Sequence, residues 1–380
     1  MTQLTAQVRS GGFQGRPANP DAVIKALDDA LSLLPLRRVI IGWHPDQAIY
    51  QQVARHLAGR DIELYLWLPV FSEVGLLADC QPTIGPSGRS PAAVSLDATE
   101  NFQFYCPNTP ANIDACLEVF TKHFADIGFD GVFLDKIRYP SFANGPDGGL
   151  SCLCPRCRAT YQQAGIDVEG LIGAIHRLNQ LATPFGVTGY TTGRYQFDDP
   201  LWQQFFSLRC DIITASLRHI VGYFRAAGYG VGLDVFAPVI SQFVGQDIVA
   251  LSGLADFVKP MMYARTTAPA GLPFEVDALL EHTGSSPGRH RYFQVLGLDV
   301  ASQPDDLAFC AREVANLRAT CGCPVHPGIE INQLAGIADT SPDYVAACLD
   351  AYQGADGIVL SWNLLDAPRT HLNAVANSLR

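Results

Sequence analysis

Short apolar runs rich in β-branched and aromatic residues recur along the chain, each followed by a turn and then by a stretch with helical spacing. The runs are RRVIIGW (37–43), IELYLWLP (62–69), DGVFLD (130–135), YGVGLDVFAP (229–238), DFVKPMMY (256–263), RYFQVLGLD (291–299), VHPGIEIN (325–332) and DGIVLSW (356–362). Most are continuously apolar rather than alternating, the pattern of parallel strands covered on both faces. Helical patterns lie between them, among them 46–59, 111–128, 200–228, 304–322 and 341–355. Several open on Ser, Asp or Pro and close on Gly, which are helix-cap signals.

Alternation of this kind predicts an α/β chain, and eight units predict a (β/α)8 barrel built as a single domain over residues 1–380. A doubly wound sheet is the runner-up, but no Gly-rich phosphate fingerprint follows the first strand. LTAQVRS (4–10) ahead of PDAVIKALDDALSLL (20–34) adds a ninth unit. One strand candidate must therefore lie outside the barrel, and the pattern does not say which. Two insertions, about 72–110 and 139–199, are rich in Pro, Gly, Ser, Thr and Asp. Each follows the C-terminal end of a strand, where barrel enzymes carry their working loops.

Composition narrows the function classes. The chain has 380 residues, 48% of them hydrophobic, enough for a large core. A net charge of −11 excludes a phosphate-driven nucleic-acid binder and an anionic membrane surface as partner. The N-terminal MTQLTAQVRSGGFQG has no apolar h-region. No apolar run approaches the roughly 18 residues of a membrane span. Eleven cysteines, an odd number, then predict a cytoplasmic protein whose thiols are free or metal-bound. Assembly into a homo-oligomer is compatible with all of this.

Carboxylates stand at or just past three strand ends: Asp135 in GVFLDKIRYP, Asp234 in VGLDVFAP and Glu330 in HPGIEIN. A carboxylate there must be paired or wet, because burying it alone is expensive. Two carboxylates facing one pocket are what glycosidic cleavage needs. The plainer reading is a structural acid holding a basic loop residue, with Lys136 and Arg138 as the local partners of Asp135. Aromatics cluster at the same ends: Trp43 with His44, Trp67, Tyr139, Tyr263 and Trp362. Such rings suit the apolar faces of sugars, or else they simply cap the barrel core. Asn332 follows Glu330 on the same strand end. Lys259 interrupts an apolar strand and calls for a carboxylate partner, with Asp234 as the candidate.

SCLCPRCRATY (151–161) places Cys152, Cys154 and Cys157 in one short loop, tight spacing for tetrahedral thiolate ligation. The fourth ligand expected of a structural Zn2+ site is Cys106 in FQFYCPNTP, with His176 and Cys80 as weaker candidates. Unliganded loop cysteines and a thioredoxin-like CPRC pair stay open. No organic cofactor is expected. G-x-S-x-G, Walker A and H-E-x-x-H motifs are absent, and His44, His290 and His326 are scattered.

FQFYCPNTP followed by SCLCPRCRATY resembles the zinc site of glycoside hydrolase family 42 β-galactosidases, a cysteine before an Asn-Ser/Thr-Pro turn and a later C-x-C-P-x-C cluster. The match falls on Cys106, Cys152, Cys154, Pro155 and Cys157, and the helix WQQFFSLRCDIITASLRHIV (202–221) is similar to the one that follows there. GFDGVFLDKIRYP and FVKPMMY resemble strand motifs of uncharacterised bacterial glycoside hydrolases. Together these cover about 100–265. The resemblance implies a TIM-barrel glycoside hydrolase with a structural zinc, acting on a small glycoside or oligosaccharide. Where the β-galactosidases carry Asn-Glu, this chain reads LDKIRYP, so Asp135 takes the acid/base place with a changed residue type. Glu330 matches their nucleophile. Asp234 would then orient the sugar, with Arg138, Tyr139, Lys259 and Tyr263 lining the pocket. Two other classes stay in view: a sugar lyase or isomerase using a free Lys259, and a catalytically inactive carbohydrate-binding barrel.

Overall fold

A computed structural model describes residues 3–94, 100, 102–283, 286–299 and 302–379. Eight parallel strands close into a barrel: β1 (Gln3–Arg9), β2 (Leu36–Gly42), β3 (Glu63–Pro69), β4 (Gly131–Asp135), β7 (Gly230–Phe236), β8 (Phe257–Met261), β9 (Gly328–Glu330) and β10 (Gly357–Ser361). They run in chain order around the ring, and β1 pairs with both β2 and β10 to close it. A separate antiparallel hairpin, β5 (Val187–Thr191) and β6 (Arg194–Phe197), stands outside the barrel. Helices alternate with the strands, as the (β/α)8 pattern requires.

The ninth strand candidate resolves against 291–299. Those residues begin inside a helix, Ser286–Val295, and the 4–10 run supplies the eighth barrel strand instead. The reason is periodicity: Tyr292, Phe293 and Leu296 are buried while Arg291 and Gln294 are exposed, which is helical spacing. Aromatic and β-branched content mimicked a strand, but the burial pattern belongs to a helix that ends at Gly297, φ 71°.

Period-two alternation sorts the strand residues. On β4, β7 and β8 one set (Phe133, Gly232, Phe257, Lys259) meets inside the barrel. The rings of Phe133 and Phe257 stack at 5.8 Å, and a Cβ on Gly232 would come within 2.3 Å of Phe257. Small residues there make room for the large rings. Gly328 does the same one tier up, since a Cβ there would lie 2.4 Å from Lys259 Cε. The upper tier is polar. Asp234 pairs in register with Lys259, and Leu134 pairs with Leu233, so Asp135 and Asp234 follow side by side on adjacent strands about 4.8 Å apart.

The long segment between β3 and the helix Pro110–His123 and the one between β4 and the helix Pro200–Ala226 meet over this end of the barrel. Leu153 N donates to Ile84 O (2.7 Å), and Asn144 Nδ2 donates to Phe102 O (3.1 Å). No helix among the described residues is long and apolar enough to cross a membrane.

Candidate functional site

A cleft opens at the C-terminal ends of the strands, walled by Trp43, Trp67, Tyr263 and Trp362, with Asp135 and Asp234 on its floor. Trp43 and Trp67 cross edge to face at 4.8 Å. Each indole is pinned by a carboxylate: Trp67 Nε1 donates to Asp135 Oδ2 (2.9 Å) and Trp43 Nε1 to Glu73 Oε2 (2.8 Å). The rings are thus held in place by the same acids that charge the cleft.

Asp135 takes a second bond on Oδ1 from the Lys136 backbone N–H (2.5 Å). Neither basic neighbour pairs with it. Lys136 reaches across to Glu73 (2.9 Å) and Glu100 (3.0 Å), and Glu100 also meets Arg9 (3.4 Å). Glu73 and Lys136 both adopt left-handed backbone conformations, φ 65° and 52°. Two such non-glycine residues bonded to each other, on a cleft wall, are a costly arrangement of the kind that collects at working sites.

Asp234 has a different environment. Oδ2 accepts from Lys259 Nζ at 3.1 Å, while Oδ1 is buried with no hydrogen-bond partner. Burial pushes its pKa up to about 8, against the pull of Lys259 and with the help of the Asp135 charge. Burial in turn holds the Lys259 ammonium below its ordinary value. Lys259 also donates to Tyr263 OH (2.5 Å). The free ammonium that a lyase or isomerase reading requires is therefore absent: Lys259 is ion-paired and fully buried.

Glu330 is placed elsewhere. It is fully buried and does not line the cleft. Its carboxylate accepts from Ala264 N (3.0 Å), Arg265 N (2.9 Å), Thr266 Oγ1 (2.8 Å) and Tyr344 OH. Those bonds anchor the loop after β8, whose Thr266, Ala268 and Ala270 form one side of the cleft. Asn332 Oδ1 accepts from Trp362 N (2.6 Å), so it sets a cleft ring without facing the cleft itself. Tyr139 is buried under the Arg209 guanidinium (4.4 Å), and His44 Nδ1 accepts from Asp46 N (3.0 Å); both lie off the cleft. Arg138 does line it.

Four charged residues in or beside this cleft are not marked by the sequence as site residues. Glu73 and Glu100 lie in the first insertion, where no strand end marks them. Lys136 was weighed only as a partner for Asp135, and Arg9 closes a strand whose place was open. The one available signal was Glu73 lying four residues past β3.

The cysteines form a separate cluster. The sulfurs of Cys106, Cys152, Cys154 and Cys157 all lie within 4.8 Å of one another. Cys106 Sγ stands 3.8 Å from Cys154 Sγ and 3.5 Å from Cys157 Sγ. Thiolates about 2.3 Å from a tetrahedral zinc stand about 3.8 Å apart, whereas a disulfide needs about 2.05 Å. All eleven cysteines are free thiols, and neither His176 nor Cys80 joins this group. Amide N–H groups point at two of the sulfurs, Ile84 N at Cys152 (3.4 Å) and Asn108 Nδ2 at Cys157 (3.7 Å).

Arg209 is a buried cation near this cluster. It is fully buried, bonds only the Gly149 and Phe243 carbonyls, and leaves Nε and Nη2 without partners. Burial lowers its pKa, and Tyr161, Tyr139, Cys210 and then Cys152 oppose that shift. A zinc tetrathiolate carries two net negative charges, which a buried guanidinium without a carboxylate would offset. The donor set and its surroundings fit a closed zinc site.

No protein-family model matches the chain, and no curated protein matches it in sequence. Among solved structures it is similar to a class V chitinase from Pseudomonas fluorescens Pf-5, at 10% identity and a TM-score of 0.49, over 100% of each chain. The glycoside hydrolase domain of PelA from Pseudomonas aeruginosa, in a variant form, is 12% identical with a TM-score of 0.42 over 96% of each chain. An alpha-L-fucosidase isoenzyme 2 from Paenibacillus thiaminolyticus is 12% identical with a TM-score of 0.49; the match covers 99% of this chain and 48% of that one.

Proposed function

We propose that the protein hydrolyses a small glycoside or oligosaccharide, with Asp234 as the proton donor and Asp135 as the nucleophile or base. The supporting observation is the contrast between two carboxylates side by side in one aromatic cleft. Asp135 has both oxygens engaged by N–H donors, a geometry that fixes an acceptor in place. Asp234 is buried on the same floor, its pKa pushed up to about 8, with Oδ1 unpaired. Environments that separate two acids in this way divide acid from base roles. Trp67 fixes Asp135, and Lys259 with Tyr263 fixes Asp234, so the reacting groups are preorganised.

Cys106, Cys152, Cys154 and Cys157 would hold a structural zinc. Four thiolates leave no open position, so the metal would brace the two loops over the barrel rather than take part in catalysis. Eleven free thiols support a reducing compartment.

The deciding experiment is a panel of nitrophenyl glycosides assayed with wild type beside Asp135→Asn. Hydrolysis that is lost in the variant supports the reading. Binding of sugars with no hydrolysis of any glycoside by wild type would replace it with a carbohydrate-binding barrel.

A further inference from the structure

Four cations stand at or beside the cleft, and three of them are matched to acids. Arg9 meets Glu100, Lys136 meets Glu73 and Glu100, and Lys259 meets Asp234, all within 3.4 Å. Arg138 differs. Among the described residues it makes no ion pair, and its one hydrogen bond runs from Nη1 to the Tyr139 carbonyl (3.0 Å). The charges it responds to most, led by Glu275, lie outside ion-pair contact.

The setting of this guanidinium is specific. The Phe104 ring packs against it at 4.5 Å and the Phe236 ring at 4.1 Å. Aromatic rings accept no strong hydrogen bond from it, so the N–H groups of its in-plane edge are what is left to bind a ligand. Arg138 is 3% exposed and lines the cleft, and no nitrogen of it is among the sealed, partnerless atoms, so that edge opens to the cleft. Burial lowers its pKa to about 10, which still leaves it cationic at neutral pH.

Glu275, buried with Oε2 unpaired, offsets this charge from beyond ion-pair distance, so the N–H groups of Arg138 still lack a carboxylate in contact. The planar fork matches a carboxylate through two parallel N–H···O bonds and discriminates poorly among single hydroxyls. We propose that Arg138 is the receptor for a substrate carboxylate, so that the cleft takes a uronic acid unit rather than a neutral hexose. Arg138 lies three residues past Asp135, at the same strand end. In a hexuronide the carboxylate is borne by C5, across the ring oxygen from the anomeric carbon. One sugar can therefore present its reacting carbon to Asp135 and its acid to Arg138. This inference rests on the carbohydrate reading of the cleft.

The test is calorimetric binding of glucuronate, galacturonate and mannuronate, each against glucose, galactose and mannose, to the intact protein. At least one uronate should bind about tenfold or more tightly than its neutral counterpart. R138Q should abolish that preference, and R138K, which keeps the charge but not the fork, should retain only part of it. Equal binding of uronate and neutral sugar by wild type overturns the proposal, and it does so without any variant. A preference that survives in folded R138Q overturns it as well. The subsite and the hydrolase fail separately. Arg138-dependent uronate binding with no glycoside cleaved, uronide or neutral, removes the hydrolase and leaves the subsite standing. Cleavage of neutral glycosides with no uronate preference does the reverse.

Discussion

Asp135 and Asp234 end β4 and lie within β7 much as Glu330 ends β9, and along the chain the three acids look alike. Their surroundings differ in the one respect that governs chemistry. Glu330 is sealed and meets four donors from the β8 loop and Tyr344. Asp234 is equally buried but leaves one oxygen without a donor beside a second carboxylate. A saturated carboxylate holds structure; an unsatisfied one beside a second acid can exchange a proton. A strand-end position therefore nominates an acid, and its hydrogen-bond partners decide what it does.

The largest expected effect separates the two carboxylates of the floor. Asp135→Asn should lower kcat by about 1,000-fold or more on every glycoside, because no other group supplies its attack. Asp234→Asn should cost about 100-fold or more on substrates with alkyl leaving groups but within about tenfold on nitrophenyl glycosides, which leave without a proton. Equal losses on both leaving groups would remove the acid role from Asp234. Folding of that variant needs checking by circular dichroism, since it changes the buried hydrogen-bond partner of Lys259.

The pH profile comes next. Asp234 must carry its proton to act as an acid, and its pKa is raised to about 8. Activity should therefore hold below that value and fall as pH rises through it, by about tenfold per unit. The alkaline limb should disappear in Asp234→Asn assayed on a nitrophenyl glycoside. A limb that stays in the variant belongs to another group.

Glu330 then provides the contrast. Glu330→Gln should keep kcat within about tenfold while lowering stability by about 1–3 kcal/mol, read as a lower melting temperature, because one acceptor of the loop anchor is lost. A loss as large as that of Asp135→Asn would restore Glu330 as the nucleophile. The smallest effect on activity is expected at the cysteines. Elemental analysis should find about one zinc per chain, and Cys152→Ala should lose the metal and melt earlier, with activity lowered far less than by either aspartate change. Less than half an equivalent of zinc in wild type would sink the metal site.

Particular residues mark what was legible. The barrel was readable because buried parallel strands leave continuous apolar runs, and seven of the eight runs between 37 and 362 fall on barrel strands. The exception, 291–299, has strand-like composition over a helical burial pattern, and composition alone does not separate the two. The cysteine quartet was legible because three of its thiols sit within six residues and the fourth in the other insertion.

The sequence by itself determined the alternation that makes a barrel, the acids at its rim and the spacing of the thiols, since each depends on local order along the chain. Only the tertiary structure decided that Glu330 meets four donors, that Lys136 turns to Glu73 and Glu100, and that Arg138 makes no ion pair among the described residues. Those outcomes depend on which donors and charges arrive from distant strands and insertions, and a carboxylate or guanidinium takes its role from the neighbours that desolvate and partner it.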